Sequence, residues 1–331
     1  MKIAITKNNI VYGLLILVIL LLAVNIIIEK YFRPSREAVK KEISSVVINE
    51  RFLNSLNNYN IDSAWIKKQK VSGGDSLKYN YFVELPADLP ASLLLCEIQN
   101  QFDTNEVDIS AEELKSRNST GLNISSGGNL KLKALFKYYT SISRQADTLG
   151  FVLTGIEDLN NEELKELCLM PEHFAGVIIP STHSYEIMKT LRENQKEAAV
   201  LLNDDISELA FRLKAGYTAG RIRSSLKSII GKFYNTAFFI IDQNSDIFKS
   251  DHYKMIRDEF SKRHLILVKQ DRFLQPGNLS PEDIIRAVNS GANTNRLLLI
   301  SAGKFLELPP LLETLRKRGY KFVSPSELIR D

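Results

Sequence analysis

Residues 151–203 read FVLTGIEDLNNEELKELCLMPEHFAGVIIPSTHSYEIMKTLRENQKEAAVLLN and show the clearest periodicity in the chain. Three apolar runs predict strands, and two amphipathic segments between them predict helices: in chain order 151–156, 161–169, 174–179, 185–194 and 198–202. Parallel neighbours need a crossover of roughly a dozen residues or more, and both connections are long enough. The stretch therefore predicts parallel βαβ units and an α/β fold.

The same pattern continues to residue 330. Buried apolar runs predict further strands at 236–241, 265–268, 297–300 and 321–323. Helices are predicted between them at 206–214, 218–230, 253–262 and 306–318, with another beginning near Ser280. Short strands that are apolar throughout are typical of a parallel sheet covered on both faces. We therefore predict that 151–330 forms one (β/α) domain whose sheet is closed or nearly closed.

Polar side chains follow these predicted strands, at the edge where parallel sheets bind ligands. The pocket candidates are Glu157, Asp158, His183, Asn203, Asp204, Asp242, Gln243 and Asp271. Each also has a purely structural interpretation. Glu157 and Asp158 suit the N-terminal end of a helix, where the helix dipole favours acids. Asp204 suits the N-cap of the helix predicted from 206.

Composition excludes several classes of protein. The chain has 331 residues, enough for two domains, and its net charge of +4 is too small and too scattered to indicate nucleic acid as a partner. Its two cysteines are predicted to be free buried thiols, with a disulfide as the alternative. We find no zinc-ligand spacing and no glycine-rich phosphate loop in the sequence.

The N-terminal region predicts a membrane anchor. After a short tail at 1–9, residues 10–28 form an apolar run long enough to cross a bilayer as a helix, without a signal-peptidase site behind it. Positive residues follow the run: Lys30, Arg33, Arg36, Lys40 and Lys41. Counted by the positive-inside rule, they would place the rest of the chain in the cytoplasm.

The segment 36–140 is predicted to be a small α+β module. Helical stripes cover 37–56 and 91–102, and strand patterns cover 62–71, 77–85, 107–109, 121–124 and 130–136. Trp65, Tyr79 and Tyr81 suit an aromatic ligand platform or core packing. We interpret the module as one for binding or spacing. The polar segment 140–150 marks its boundary.

The C-terminal segment, about 151–329, resembles the divergent polysaccharide deacetylases, a NodB-like branch of carbohydrate esterases. The resemblance rests on Glu157-Asp158 after a strand, on Leu169-Met-Pro171, on a strand ending in Pro180 before His183, and on the ending KFVSPSEL at 321–328. It implies a distorted (β/α) barrel facing the cell envelope. It also implies deacetylation of glycans by a divalent metal, such as Zn²⁺, held by a carboxylate and histidines.

The expected metal ligands are mostly replaced. The resemblance assigns histidines to the positions of Asn203, Asp242-Gln243 and Ser301-Ala302, and an aspartate to that of Lys269. Amides are poor substitutes for imidazole at zinc. We therefore expect neither a metal nor another cofactor, and we name no catalytic residue beyond Glu157 and Asp158 as remnants. Whether any hydrolase activity survives stays open.

Three functions follow from this comparison. The first is an envelope pseudoenzyme that takes part in carbohydrate metabolism by binding glycan, such as peptidoglycan, or by acting as a scaffold. The second is an active deacetylase with unusual ligands. The third is a single-pass protein that recruits an envelope protein. The resemblance favours the bacterial inner membrane, with both soluble modules on the periplasmic or extracellular side, against the charge count.

Overall fold

A computed structural model describes residues 16–22, 24, 42–71, 77–103, 105–114, 119–144, 147–276, 284, 286 and 295–330. The chain divides into two compact units between Tyr139 and Thr140. Two short pieces of the earlier sequence, Leu56–Asp62 and Pro86–Leu89, belong to the second unit.

The predicted anchor at 10–28 and the tail at 1–9 lie largely outside the described residues. Residues 16–22 and 24 are helical, and the apolar side chains from Ile16 to Leu22 are exposed. Within the described part of the chain, no helix combines the length and apolar character needed to cross a membrane.

The first unit has two helices and an antiparallel sheet. The helices are α1 (Ser45–Asn58) and α2 (Ala91–Asn100). The strands are β1 (Ile66–Lys70), β2 (Tyr79–Pro86), β3 (Asp108–Leu114), β4 (Ser119–Ser126) and β5 (Asn129–Tyr139), in the spatial order β1-β2-β5-β4-β3. The pairs β1–β2, β3–β4 and β4–β5 are antiparallel.

One face of this sheet forms the core of the first unit. Along β2, Tyr81, Val83 and Leu85 are buried, whereas the residues between them are at least partly exposed, as expected for a strand with one covered face. The ring of Tyr81 lies 5.1 Å from that of Phe52 on α1. Tyr81 is therefore a core residue and not part of an exposed platform.

The second unit contains a parallel sheet of seven strands. They are β6 (Thr148–Thr154), β7 (Phe174–Ile178), β8 (Glu197–Leu202), β9 (Phe238–Ile241), β10 (Leu267–Lys269), β11 (Asn295–Ser301) and β12 (Lys321–Phe322). The order is β10-β9-β8-β7-β6-β11, and β12 pairs with the first residues of β6. The prediction of a mixed α/β domain with a parallel sheet is confirmed.

The sheet is curled into a half-barrel. Leu274, beyond the end of β10, makes a parallel bridge with Leu298 of β11 at the opposite end of the sheet. Its N–H donates to the carbonyl of Leu297 at 2.8 Å, and its carbonyl accepts from the N–H of Leu299 at 2.9 Å. Within the described part of the chain, this bridge connects the two ends of the sheet.

Helices cover the outer face of the half-barrel. They are α3 (Asn161–Leu169), α4 (Thr182–Glu193), α5 (Ala219–Lys232), α6 (Asp246–Lys249), α7 (His252–Lys262), α8 (Ala302–Leu306) and α9 (Pro309–Lys317). The last helix, α10 (Pro325–Arg330), packs instead against the inner residues of the sheet. The sequence predicts α3 well because Asn160 and Glu163 form a capping box at its start. The helix predicted near Ser280 falls mostly outside the described residues.

Two helix predictions are corrected. Residues 206–214 form turns instead of a helix, held by side-chain bonds from Arg212 to the carbonyls of Ile206 and Ser207. The helix predicted at 306–318 is present as α9 but begins three residues later, because Pro309 favours the first turn of a helix and cannot continue one from before it. The short helix α8, which precedes it, was not predicted.

The half-barrel is filled and closed at the N-terminal ends of its strands. Alternate strand residues pack inside it, including Val152, Ala199 and Phe238, together with Leu328 of α10. The carboxylate of Glu197, the first residue of β8, accepts hydrogen bonds from the N–H (3.0 Å) and the hydroxyl of Ser326. α10 therefore packs at this end of the half-barrel, and the polar residues that follow the strands lie at the opposite edge.

Candidate functional site

The candidate site lies at the C-terminal edge of the half-barrel, where the predicted pocket residues follow strands β6 to β10. At each strand end, local hydrogen bonds decide which way the polar side chain points and what it can still bind.

Glu157 and Asp158 lie in a tight turn after β6. Gly155 adopts a left-handed conformation (φ 69°), and the 3-10 turn Ile156–Asp158 follows it, with Ile156 buried in the core. A Glu157 carboxylate oxygen accepts the N–H of Ile179, beyond β7, at 3.1 Å. Asp158 is exposed. Glu157 therefore ties the end of β6 to the end of β7.

Burial raises the pKa of the Glu157 carboxyl, although the bond from Ile179 and the nearby charge of His183 both oppose this shift. His183 is exposed in the first turn of α4. His183 is therefore near enough to favour the ionised form of Glu157. Groups with perturbed pKa values are enriched at functional sites.

The end of β8 is held by its own turn. Asn203 is 6% exposed and exchanges hydrogen bonds with Asp205: its amide donates to the carboxylate at 2.9 Å, and its amide oxygen accepts the Asp205 N–H at 3.2 Å. Both sides of the Asn203 amide are therefore in use.

Asp204 is a helix cap, but of a different helix from the one predicted. Its carboxylate accepts the backbone N–H groups of Asp246 and Ile247 (3.1 Å), at the start of α6. The prediction that it caps a helix beginning at 206 was wrong, because those residues form turns. Asp204 instead joins the end of β8 to the loop after β9, with its negative charge at a helix N-terminus.

The ends of β9 and β10 are joined in a similar way. Asp242 accepts the N–H of Asn244 at 2.8 Å and thereby shapes its own turn. The side-chain oxygen of Gln243 accepts the N–H of Asp271, beyond β10, at 2.9 Å. Asp271 itself is exposed. Gln243 therefore connects two neighbouring strand ends.

These strand-end bonds leave little that could hold a metal ion. Glu157, Asn203, Asp204, Asp242 and Gln243 all donate or accept within the loops themselves. Among the described residues, no group of three or more histidine, cysteine, aspartate or glutamate side chains is arranged to bind a metal. The residues at this edge do not fit a divalent cation, which needs several free anionic or imidazole ligands.

Other residues of the edge were missed in the sequence. Glu208 accepts the N–H of Thr182 at 2.6 Å and so holds the start of α4, which Ser181 also caps. No local pattern indicates this contact because 26 residues separate the partners. It lies in the segment that the sequence predicted as a helix.

A second polar cluster lies near the N-terminal ends of the strands. The Lys196 side chain is 9% exposed, and its ammonium group donates to the carbonyls of Met170 (2.5 Å) and Glu172 (2.8 Å). Burial lowers the pKa of Lys196. Arg316 forms an ion pair with the buried carboxylate of Glu172. A charged residue directly before a buried apolar strand is the sequence feature that could have indicated Lys196.

Comparisons with known proteins give structural neighbours only. No protein-family model and no curated protein matches the sequence. A mutant CE4 family pseudoenzyme with restored enzymatic activity is 12% identical, with a TM-score of 0.40, over 70% of this chain and 96% of its own. The peptidoglycan deacetylase PdaC from Bacillus subtilis is 16% identical, with a TM-score of 0.35, over 57% of this chain and 93% of its own.

A family 4 carbohydrate esterase from Streptomyces lividans is 14% identical, with a TM-score of 0.36, over 54% of this chain and 98% of its own. These neighbours are polysaccharide deacetylases. The relationship is distant.

Proposed function

We propose that this protein is a membrane-anchored cell-envelope protein whose second unit is a divergent deacetylase-like domain without a working metal site. In this proposal it binds envelope glycan, or supports an envelope assembly, without hydrolysing glycan. The observation that carries the proposal is that the polar strand-end side chains are used to join neighbouring loops, as described for Glu157, Asp204 and Gln243.

Use of these groups as metal ligands would break the hydrogen bonds between the loops, and the free energy that this would cost supports the proposal. If Asp204 turned to bind a cation, the N–H groups of Asp246 and Ile247 would lose their acceptor. A buried hydrogen-bonding group left unpaired costs about 1–3 kcal/mol, which applies to the N–H of the buried Ile247, whereas the exposed Asp246 can bond water instead. Asn203 and Gln243 would in addition offer neutral amide oxygens where a zinc site needs imidazole or thiolate.

The proposed location is the bacterial inner membrane, with a single anchor at 10–28 and both soluble modules on the periplasmic or extracellular side. The length and apolar character of 10–28 support the anchor. The resemblance to envelope deacetylases supports the orientation. Protease treatment of intact cells tests it: digestion of the region beyond 36 is expected, and protection of that region contradicts the orientation.

Metal content and activity test the absence of a working site. The purified protein is incubated with Zn²⁺, freed of excess metal, and analysed for bound metal and for acetate release from an acetylated chitin oligomer. We expect substoichiometric metal and no acetate release, in the native chain and in an Asp158→Ala variant alike. One bound zinc ion per chain that is lost in Asp158→Ala, together with acetate release, would favour an active deacetylase with unusual ligands.

Retention on insoluble peptidoglycan tests the glycan-binding role. We expect the protein to be retained at low salt and released by soluble fragments of the same glycan. A protein that passes through unretained, but co-purifies with a specific envelope protein after cross-linking in cells, would favour the protein-recruiting alternative.

A further inference from the structure

The outer face of the sheet in the first unit contains a groove of about 370 Å³. The opposite face of this sheet is buried in the core, so the groove lies on the side away from that core. Its walls come from β2, β3, β4 and β5. A cavity of this size is within the range that binds small ligands, about 300–1,000 Å³.

Gly121 forms the floor of the groove. It lies within β4, opposite Leu135 on one neighbouring strand and Glu112 on the other. A Cβ atom at this position would meet nothing closer than the Glu112 carbonyl oxygen at 3.9 Å, and the backbone of Gly121 is not left-handed. Neither packing nor conformation therefore requires glycine here.

Glycine at this position lowers the stability of the strand, and no requirement of packing or backbone conformation explains its presence. In a strand interior it is less stable than alanine by about 0.5–1 kcal/mol. Glycine at such a position often marks a place where a ligand approaches the backbone closely. The missing side chain of Gly121 is what makes the outer face concave.

The lining of the groove combines apolar and polar groups. Phe82 and Leu114 are 40% and 39% exposed, so both offer apolar surface to a ligand. Asn80 and Asn123 add planar amides. The side-chain oxygen of Asn80 is a buried acceptor for which the described residues provide no donor. Because that oxygen is inaccessible, it can meet a ligand in the groove only if the Asn80 side chain turns outward, and doing so would satisfy a buried acceptor.

We propose that this groove binds the ring of a neutral saccharide. A pyranose ring has apolar C–H faces, which suit Phe82 and Leu114, and equatorial polar groups, which suit the amides of Asn80 and Asn123. Glu112 and Lys133 contribute one negative and one positive charge to the lining, so their charges cancel and favour a neutral ring over an acidic or basic one.

An apolar peptide or a partner helix fits this lining less well. Such a partner would cover the amides and the two charged side chains without satisfying them, at the usual cost of burying polar groups unpaired. A saccharide supplies donors and acceptors around the whole ring. The groove belongs entirely to the first unit, so the inference rests on the proposed function only in the choice of an envelope-type sugar as probe.

The test is isothermal titration calorimetry, in which the full-length chain is titrated with the tetramer of N-acetylglucosamine. The decisive variant is Gly121→Val, which fills the floor of the groove with a residue that favours strands. We expect its melting temperature to equal or exceed that of the native chain, while its affinity for the tetramer falls at least tenfold.

A second pair of variants distinguishes a loss of binding from a loss of folding. Phe82→Ala removes apolar surface from the groove and is expected to weaken binding tenfold or more. Leu93→Ala removes an exposed leucine of α2 in the same unit, away from the groove lining, and is expected to leave binding within twofold. The proposal is overturned if the native chain does not bind the tetramer, or if Gly121→Val binds it as well as the native chain does.

A parallel titration with a peptide tests the remaining alternative, in which the groove binds an apolar peptide instead of a saccharide. Binding of a ten-residue apolar peptide that Gly121→Val abolishes, without binding of the tetramer, would also overturn the saccharide proposal. Retention on insoluble peptidoglycan is measured in parallel. If the native chain is retained and Gly121→Val is retained equally, the groove inference fails and the proposed function stands. If the native chain is not retained but binds the free tetramer through the groove, the proposed function fails and the groove inference stands.

Discussion

Replacing Gly176 with alanine is expected to strain the core of the second unit just beneath the candidate site. An added Cβ would lie 2.4 Å from Cδ1 of Ile156 and 2.7 Å from Cδ1 of Leu191. Carbon atoms in contact are normally about 3.5–4.0 Å apart. Both neighbours are fully buried, so each would have to move by roughly 1 Å within a close-packed interior.

The magnitude follows from two opposing effects. Overpacking of this kind costs typically about 1–3 kcal/mol. Because the backbone of Gly176 is not left-handed, alanine can adopt it, and the lower entropy of the unfolded chain returns about 0.4–1 kcal/mol. We therefore expect Gly176→Ala to lower the free energy of unfolding by about 1–2 kcal/mol.

Urea unfolding measured by far-UV circular dichroism tests this value. The chain has one tryptophan, Trp65 of the first unit, so tryptophan fluorescence would not report on the second unit. Gly220→Ala is the matched control because nothing lies within 4 Å of its added Cβ, and it is expected to cause no loss of stability.

Combining Gly176→Ala with Leu191→Ala removes one of the two colliding side chains. The double variant is therefore expected to be more stable than the sum of the two single losses by at least about 0.5 kcal/mol. A Gly176→Ala variant as stable as the native chain, or strictly additive losses, would refute the close packing described here.

Three further predictions concern buried polar groups. Glu157→Gln is expected to match the native chain in melting temperature near pH 3 and to exceed it at pH 7. The reason is that a raised folded-state pKa makes the native chain bind more protons than the unfolded chain, and stability is then lost as pH rises from the ordinary value of 4.5 through the folded-state pKa. Lys196→Met is expected to lower the free energy of unfolding by about 2–4 kcal/mol, because two buried carbonyls lose a charged donor. Glu197→Ala is expected to cost about 1–3 kcal/mol, because α10 loses its bonds at Ser326.

Exposed residues of the same type provide the controls for these three variants. They are Glu186→Gln, Lys189→Met and Glu327→Ala. Each control is expected to change the free energy of unfolding by less than about 0.5 kcal/mol. A Glu157→Gln difference that does not change between pH 3 and pH 7 would contradict the burial of that carboxyl. Losses in Lys196→Met or Glu197→Ala no larger than those in their controls would show that the corresponding bonds do not stabilise the unit.

The parallel sheet could be predicted because its strands are buried on both faces and are therefore apolar throughout. The runs at 174–179 and 198–202 contain strands β7 and β8, and the capping box at Asn160 fixes the start of α3. Periodicity and capping act over a few residues, which is why a single sequence reveals them. A closed or nearly closed sheet was also predicted, but the contact between its ends was not, because the bridge joins Leu274 to a strand that is distant along the sheet.

The roles of the strand-end residues could be predicted only in part. That Asp204 follows a strand is visible in the sequence, but its partner α6 lies 42 residues ahead. Residues 206–214 were predicted as a helix because their apolar spacing resembles that of one. They form turns instead, in which Arg212 donates to the carbonyl of Ile206 and Glu208 accepts the N–H of Thr182. The groove at Gly121 was also missed, since a lone glycine in a strand becomes meaningful only when its cross-strand neighbours are known.

The pair of bonds between Asn203 and Asp205 bears on how such a domain could change over evolutionary time. The resemblance assigns a histidine to position 203, and an imidazole has its donor and acceptor on diverging sides of a ring. It cannot make both bonds that the amide makes with Asp205. Replacing Asn203 with histidine would thus lose a loop contact unless the turn around Asp205 changed as well. A change at position 203 is therefore coupled to a change in its turn, and selection for stability alone would tend to keep the two residues together.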